Sequence, residues 1–453
     1  MADTNGLLRA AAERSLRYLD GIRDRRVAPT PEQIDGLKAL GGSFPQGPAD
    51  PEAVLALLDD AGSPATVASA GGRYFGFVIG GSLPVTLAAN WLAGAWDQNG
   101  GLVVSSPVAA ALEETALRWL IDALSLPPGT GAGFVTGATM ANFTALAAAR
   151  HAVLVRGGWD VEASGLFGAP PITVIVGDEV HVSLLKALSM LGLGRDRVVR
   201  VPVDGQGRMQ AGALPAIAGP TIVCAQAGNV NSGAFDPMER ICAAAHAAGA
   251  WVHVDGAFGL WAAAAPERSY LTRGVERADS WALDAHKWLN VPYDSGVAFV
   301  RRPEELRAAM SASAAYLAET GQREPYHYAP EMSRRARGVE IWAALRALGR
   351  TGLAELIERN CRQAARFAAG LRDAGHDVLN DVVLNQVLVA FGDDETTRRV
   401  IAGVQADGSC WCGGTVWHGR AAMRISTSSW ATTDEDVDRS LAAMLRVARE
   451  TRP

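Results

Sequence analysis

Four short apolar runs constrain this 453-residue chain more than anything else in it: ITVIVGDEVH (172–181), TIVCAQAGNVNSG (221–233), WVHVDGAFG (251–259) and SGVAFVRR (295–302). Each is continuous and rich in β-branched residues, and helical stretches such as MERICAAAHAAG separate them. Runs of that kind build a mostly parallel sheet covered on both faces. Polar residues close each run, and the carboxyl ends of such strands are where open α/β sheets bind ligands.

Around this centre, SPVAAALEETALRWLIDAL reads as a helix, and GAGFVTGATMANFTALAAAR as a short strand, a tight turn and a helix. Residues 6–23 set Leu7, Leu8, Ala11, Leu16, Leu19 and Ile22 near one helical face, which reads as a docking helix against a second subunit. VAPTPEQIDGLKAL and GSFPQGPADP read as Pro/Gly-rich connectors. The chain is too long for one core. The expected division is an N-terminal helical dimerisation segment (1–70), a large α/β domain (71–349) and a smaller C-terminal α+β domain (350–453).

The totals exclude several classes. A net charge of −6 argues against a nucleic-acid binder. No apolar run approaches the roughly 18 residues of a membrane span. The N-terminus lacks the pattern of a signal peptide. Five cysteines make no disulfide framework, and the pair Cys410 and Cys412 has no second ligand pair to complete a metal site. A reducing cytoplasm is expected.

Lysine occurs only at Lys38, Lys186 and Lys287, although Lys and Arg together number 42. Lys287 lies in DAHKWLN, an apolar neighbourhood. A lysine amine freed of its proton by burial can form a Schiff base, which arginine cannot do. A snorkelling lysine is the plain alternative.

Three further stretches bear on that choice. TGAT (136–139) joins a strand to a helix, and its small residues let backbone N–H groups approach an anion. Asp255 closes the strand WVHVD, where a carboxylate needs a cation or a helix to cap. His181 closes another strand and could stack on a ring or cap the helix that follows it. Phosphate cradle, stacking group, carboxylate and lysine together suit pyridoxal 5′-phosphate.

These residues resemble the group II pyridoxal-dependent amino acid decarboxylases, which include the aromatic L-amino acid, histidine and glutamate enzymes. RYFGF, SPVAAALEE, HVDGAFG, DAHKWLN, SRRARGVEIWAALRALG and MRISTSSWAT follow in family order, HVD…HKW being the specific part. The resemblance implies the fold type I architecture of pyridoxal-phosphate enzymes, with Lys287 as the Schiff-base lysine. It implies Asp255 at the pyridinium nitrogen, His181 stacked on the ring, and Gly137, Ala138, Thr139 and His286 around the phosphate. Tyr74, Phe75 and Phe77 would stand at the substrate pocket, favouring an aromatic or bulky side chain. A homodimer with interfacial active sites is implied as well.

Three departures stand out. Val230 occupies the place of a threonine that faces the cofactor's phenolic oxygen in the family, with Asn229 or Asn231 as candidate substitutes. Asp284 replaces a common asparagine. The loop ETGQREPYHYAPEMS is short and offers Tyr326 or, preferably, Tyr328 as the proton donor. Decarboxylation of an L-amino acid to its amine is therefore the expected reaction. Transamination, aldol-type cleavage and oxygen-dependent deamination are the alternatives on the same cofactor, and a non-catalytic homologue is the alternative of another class.

Overall fold

The computed structural model describes residues 4–312 and 321–451. They form two compact units: Met1–Ile79, Arg366–Leu379 and Leu388–Pro453 in the first, Gly80–Ala365 and Asn380–Val387 in the second. The sequence reading kept the N-terminal and C-terminal segments apart, whereas the fold joins them. Backbone bonds do this: Val27 N–H donates to Gly408 O at 2.9 Å and Phe75 N–H to Trp411 O at 2.9 Å.

The second unit is built on β1 (Gly131–Val135), β2 (Thr173–Gly177), β3 (Val199–Val201), β4 (Thr221–Gln226), β5 (Trp251–Asp255), β6 (Ser280–Asp284) and β7 (Gly296–Val300). Their order in the sheet is β1-β7-β6-β5-β4-β2-β3. The pairs β2/β3, β2/β4, β4/β5 and β5/β6 are parallel, as the continuous apolar runs predict. SGVAFVRR differs: β7 is antiparallel to both β6 and β1. It returns directly from β6 without a crossover helix, which only an antiparallel pairing permits.

Helix Ala138–Val155 lies on this sheet and buries Ala141, Ala145, Ala148, Ala149 and Ala152. Small side chains bring its axis close to the strands. It also buries two polar residues, Asn142 and Thr144, and buried polar groups demand partners. Elsewhere in the unit, Glu113 of helix Pro107–Ala123 takes Arg334 Nη2 at 2.6 Å and Arg323 Nη1 at 3.7 Å. Arg334 Nη1 also donates to Phe134 O at 2.8 Å, which ties β1 to the segment after the short loop.

The second sheet has the order β10-β11-β9-β8, from β8 (Asp377–Val378), β9 (Gln386–Ala390), β10 (Gly413–Trp417) and β11 (Arg420–Ser426). In the first unit, helices Thr4–Asp20 and Pro51–Ala65 have no buried residue. The expected connector VAPTPEQIDGLKAL instead contains helix Pro31–Asp35 and a 3₁₀ turn, Gly36–Leu40. Thr30 and Gln33 form a reciprocal capping box there, with Pro31 at the first helical position.

Candidate active site

Strands β5 and β6 are parallel neighbours, so Asp255 and Asp284 come out at the same sheet edge. The chain leaves β6 directly into the helical turn Ala285–Trp288, which carries His286 and Lys287. Lys287 Nζ lies 3.0 Å from Asp284 Oδ2. Asp284 Oδ1 lies 3.3 Å from His286 Nε2 and accepts the N–H of Ala138 at 2.5 Å. Asp284 thus joins the lysine turn to the start of helix Ala138–Val155, where a negative charge is favoured by the helix dipole. Burial holds the His286 imidazole below its usual pKa range, although Asp284 pulls the other way. Its Nδ1 accepts Ser295 N–H at 3.2 Å, and its ring stacks on Tyr293 at 4.3 Å.

The TGAT turn sits against this group. A Cβ at Gly137 would come within 2.9 Å of His286 Cε1 and 3.1 Å of Asp284 Oδ1. A Cβ at Gly296 would reach 2.5 Å from Gly137 Cα, so the glycine at 296 lets β7 close on the turn. Gly80 passes so near Lys287 that a Cβ there would fall 1.8 Å from the lysine carbonyl oxygen. Gly137, Ala138, Thr139, His286 and Lys287 are therefore gathered at one place. Of the N–H groups assigned to an anion, that of Ala138 is engaged by Asp284; helix geometry leaves the next first-turn N–H groups without intrahelical acceptors.

Asp255 is buried and accepts from two donors. Asn142 Nδ2–H donates to Oδ2 at 3.1 Å and Ala257 N–H to Oδ1 at 3.2 Å. Each oxygen keeps a lone pair for a further donor. The helix-capping role anticipated for Asp255 is not met: the 3₁₀ turn that follows, Gly259–Ala264, has Phe258 at its N-cap and no side-chain cap, so Asp255 closes only a local turn through Ala257 and is otherwise held by Asn142.

His181 caps helix Val182–Met190. Ser183 N–H donates to its Nδ1 at 3.3 Å, and Ser183 Oγ lies 2.7 Å from the same nitrogen. In the AGNVNSG turn, Asn229 Oδ1 accepts from Asn231 N–H at 2.8 Å and Ser232 N–H at 3.2 Å. That fixes the amide, and Asn229 Nδ2 is a buried donor with no acceptor among the described residues. Val230 beside it is half-buried.

Of the short loop, Glu319 and Thr320 lie outside the described residues. Tyr326 is buried, and its ring lies 4.1 Å from that of His327. The Arg323 guanidinium stands 4.3 Å over the Tyr328 ring, which packs against the large core. A Cβ at Gly133 of β1 would fall 1.8 Å from Tyr328 O. Both tyrosines are packed against this chain, Tyr326 beside His327 and Tyr328 under Arg323.

Tyr74, Phe75 and Phe77 belong to the first unit. Phe75 is fully buried, edge-on to Phe367 at 5.0 Å. Tyr74 and Phe77 stack on Trp411 at 5.0 and 5.5 Å. Burial pushes the Tyr74 phenol up to about 12, so it is neutral. Phe77 is exposed, and both Phe77 and Val78 have left-handed backbone (φ 52° and 61°), a strained choice for a β-branched valine. The sequence reading missed Trp411, Asn142 and Tyr293. For Asn142 the available signal was an amide among alanines on a buried helix.

Comparison with known proteins places the chain in a family. The family model for the pyridoxal-dependent decarboxylase conserved domain matches residues 48–392. An L-2,4-diaminobutyrate decarboxylase of Rhizobium meliloti (strain 1021) is 32% identical over 387 residues, 80% of this chain and 74% of the relative. Tryptophan decarboxylase 1 of Oryza sativa subsp. japonica is 29% identical over 398 residues, 79% of this chain and 76% of the relative. Among solved structures, Oryza sativa TDC with PLP and tryptamine superposes with a TM-score of 0.90 at 24% identity, covering 99% of this chain and 98% of that one. Mouse CSAD gives 0.87 at 21% identity over 97% and 99%. At such identities the superpositions speak for the fold.

The residues present fit the cofactor. A cradle that a Cβ would fill meets a helix N-terminus, a lysine stands beside it, and Asp255 and the Asn229 amide offer an acceptor and a spare donor.

Proposed function

Since this chain belongs to the pyridoxal-dependent decarboxylase family, we propose that it decarboxylates an L-amino acid with an aromatic or otherwise bulky side chain, releasing the amine and carbon dioxide. Pyridoxal 5′-phosphate is the cofactor; when bound, it supplies the electron sink for the pair left behind by the departing carboxylate. Lys287 would hold it covalently, Asp255 would accept from its ring nitrogen, and His181 would face its ring. Gly137, Ala138, Thr139 and His286 receive the phosphate, and Asn229 Nδ2 stands in for the threonine missing at Val230.

The observation that carries this reading is the gathering of Lys287, Asp284, His286 and the TGAT turn at the carboxyl end of β6, with Asp255 ending the neighbouring β5. The bulky-substrate preference draws on the resemblance that sets Tyr74, Phe75 and Phe77 at the substrate pocket. It also draws on relatives named for aromatic amino acids and tryptophan. The diaminobutyrate relative points to a different class, so substrate identity is the first thing to measure.

We further propose a homodimer. Helices Thr4–Asp20 and Pro51–Ala65 expose Leu8, Leu16, Val54, Leu57 and Leu58, an apolar face suited to a second copy. A cytoplasmic setting accords with five unpaired thiols, and no described helix is long and apolar enough to cross a membrane.

In the decarboxylation reading Tyr328 returns the proton to the substrate carbon. A second reading follows from how that ring is held under Arg323. With tyrosine committed to packing, the carbon is open to dioxygen, which takes two electrons and leaves as hydrogen peroxide, while water hydrolyses the C–N bond; the products become an aldehyde, ammonia, carbon dioxide and hydrogen peroxide. Cofactor-saturated protein incubated with a panel of L-amino acids, with and without oxygen, separates these by mass spectrometry. Amine in both conditions supports decarboxylation, and aldehyde only with oxygen supports the second reading. A keto acid overturns both.

A further inference from the structure

Strand β5 reads W-V-H-V-D, and alternate residues of a strand share a face. Trp251, His253 and Asp255 therefore line one side, toward the helix that carries Asn142. The β5/β6 register sets His253 opposite Ser280. Trp251 Nε1–H donates to Ser280 Oγ at 2.8 Å, and Ser280 Oγ lies 2.9 Å from His253 Nδ1. His253 Nε2 lies 2.8 Å from Asn142 Oδ1, and Asn142 Nδ2 donates to Asp255 Oδ2 at 3.1 Å. The three side chains between the indole and the carboxylate, Ser280, His253 and Asn142, are fully buried.

The direction of every proton follows from the two ends. An indole nitrogen only donates, so Ser280 Oγ accepts from it and sends its own hydrogen to His253 Nδ1. The imidazole proton is then on Nε2 and goes to Asn142 Oδ1, which leaves the amide N–H for Asp255. Reversal would strand the serine hydrogen without an acceptor and turn the amide oxygen against a carboxylate oxygen. Burial, which pushes the His253 pKa down to about 3, keeps the ring neutral and able to accept at Nδ1.

We propose that Trp251, Ser280, His253 and Asn142 form a one-way hydrogen-bond chain that positions Asp255 as an acceptor for the cofactor's ring nitrogen. They are positioning residues, none of them touching substrate. The inference rests on the assignment of Asp255 to that nitrogen, so the test carries Asp255→Ala as its control.

The chain holds eight histidines, few enough for imidazole ¹⁵N spectra of the cofactor-saturated enzyme, with His253 assigned by its loss in His253→Gln. A neutral ring protonated at Nε2 from about pH 5 to 8 is expected; a charged ring or an Nδ1–H tautomer in that range overturns the proposal without any variant having to fold. Asn142→Ala and His253→Phe should raise the cofactor's Kd by about ten- to a hundredfold, the worth of a hydrogen bond to a charged group. They should also move the pH at which the bound cofactor's visible band titrates. Trp251→Phe, which removes only the directing donor, should shift the band less. Wild-type Kd and titration in Asn142→Ala and His253→Phe, with Asp255→Ala impaired, would sink the chain alone. If Asp255→Ala is also unchanged, the ring-nitrogen assignment itself falls.

Discussion

Lys287 Nζ and Asp284 Oδ2 stand 3.0 Å apart within one helical turn, and the same carboxylate holds the Ala138 N–H where the proposed phosphate cradle begins. Asp284 therefore acts on both groups that a phosphorylated aldehyde must reach. In Asp284→Asn the amide oxygen can still accept from Ala138, but the ion pair is lost and so is the like charge beside an incoming phosphate. Covalent attachment of pyridoxal phosphate to the cofactor-free protein should be faster by about two- to fivefold at neutral pH, the worth of a modest ion pair. Stopped-flow absorbance checks this, and slower attachment would contradict it.

Lys287→Ala removes the amine while leaving the turn helical. Turnover should drop on the order of 10³-fold or more. Borohydride reduction followed by mass spectrometry should find no cofactor on the chain. Covalent cofactor in that variant would move the assignment to Lys38 or Lys186.

His253 gives the folded protein an acid sensitivity with a defined sign. Its folded pKa of about 3 lies below the ordinary value of 6.5, so the unfolded chain binds the extra proton. The stability it confers is full above pH 6.5 and is lost as pH falls toward 3, at up to about 1.4 kcal/mol per pH unit. Chemical denaturation across that window should show a shallower slope in His253→Gln than in the wild type.

Glu113→Ala would leave the Arg334 and Arg323 guanidinium groups buried without their carboxylate. Breaking such a pair from one side costs about 3–5 kcal/mol. Calorimetry should show a clear fall in Tm, and substituting the exposed, paired Glu114 should barely move it.

All five cysteines are buried, and burial pushes the Cys242 and Cys361 thiols up to about 12. An aromatic disulfide reagent should leave them unmodified in the native protein and titrate all five after denaturation.

Sequence showed most clearly what is local. The turn Ala285–Trp288 follows β6 without a gap, so DAHKWLN already placed His286 and Lys287 together. The strands and the TGAT turn were equally visible, since each is one run of neighbours. What escaped depends on pairings distant in the chain. The antiparallel return of β7 cannot be told from a buried parallel strand by its residues alone, because both are continuous and apolar. His253 finds Ser280 only through strand register, although a histidine two residues before an aspartate, in an otherwise apolar strand, is the trace such a chain leaves. The aromatic run RYFGF divided in two: Phe75 went to a core and Phe77 to the surface, held by a Trp411 more than three hundred residues away.

The edge strand β1 has consequences for how the protein is made. Gly131 finds its partner at Val300, and β1 borders only β7. On a ribosome, the alanine-rich helix that follows β1 emerges long before the strand that closes that edge is synthesised. Until about residue 300 has left the exit tunnel, an apolar strand remains unpaired, a state prone to aggregation and to capture by chaperones. Slowing translation downstream of β7, rather than upstream, should therefore favour soluble yield. The first unit waits longer still, because its segments from Arg366 and Leu388 onward follow β7 in the chain.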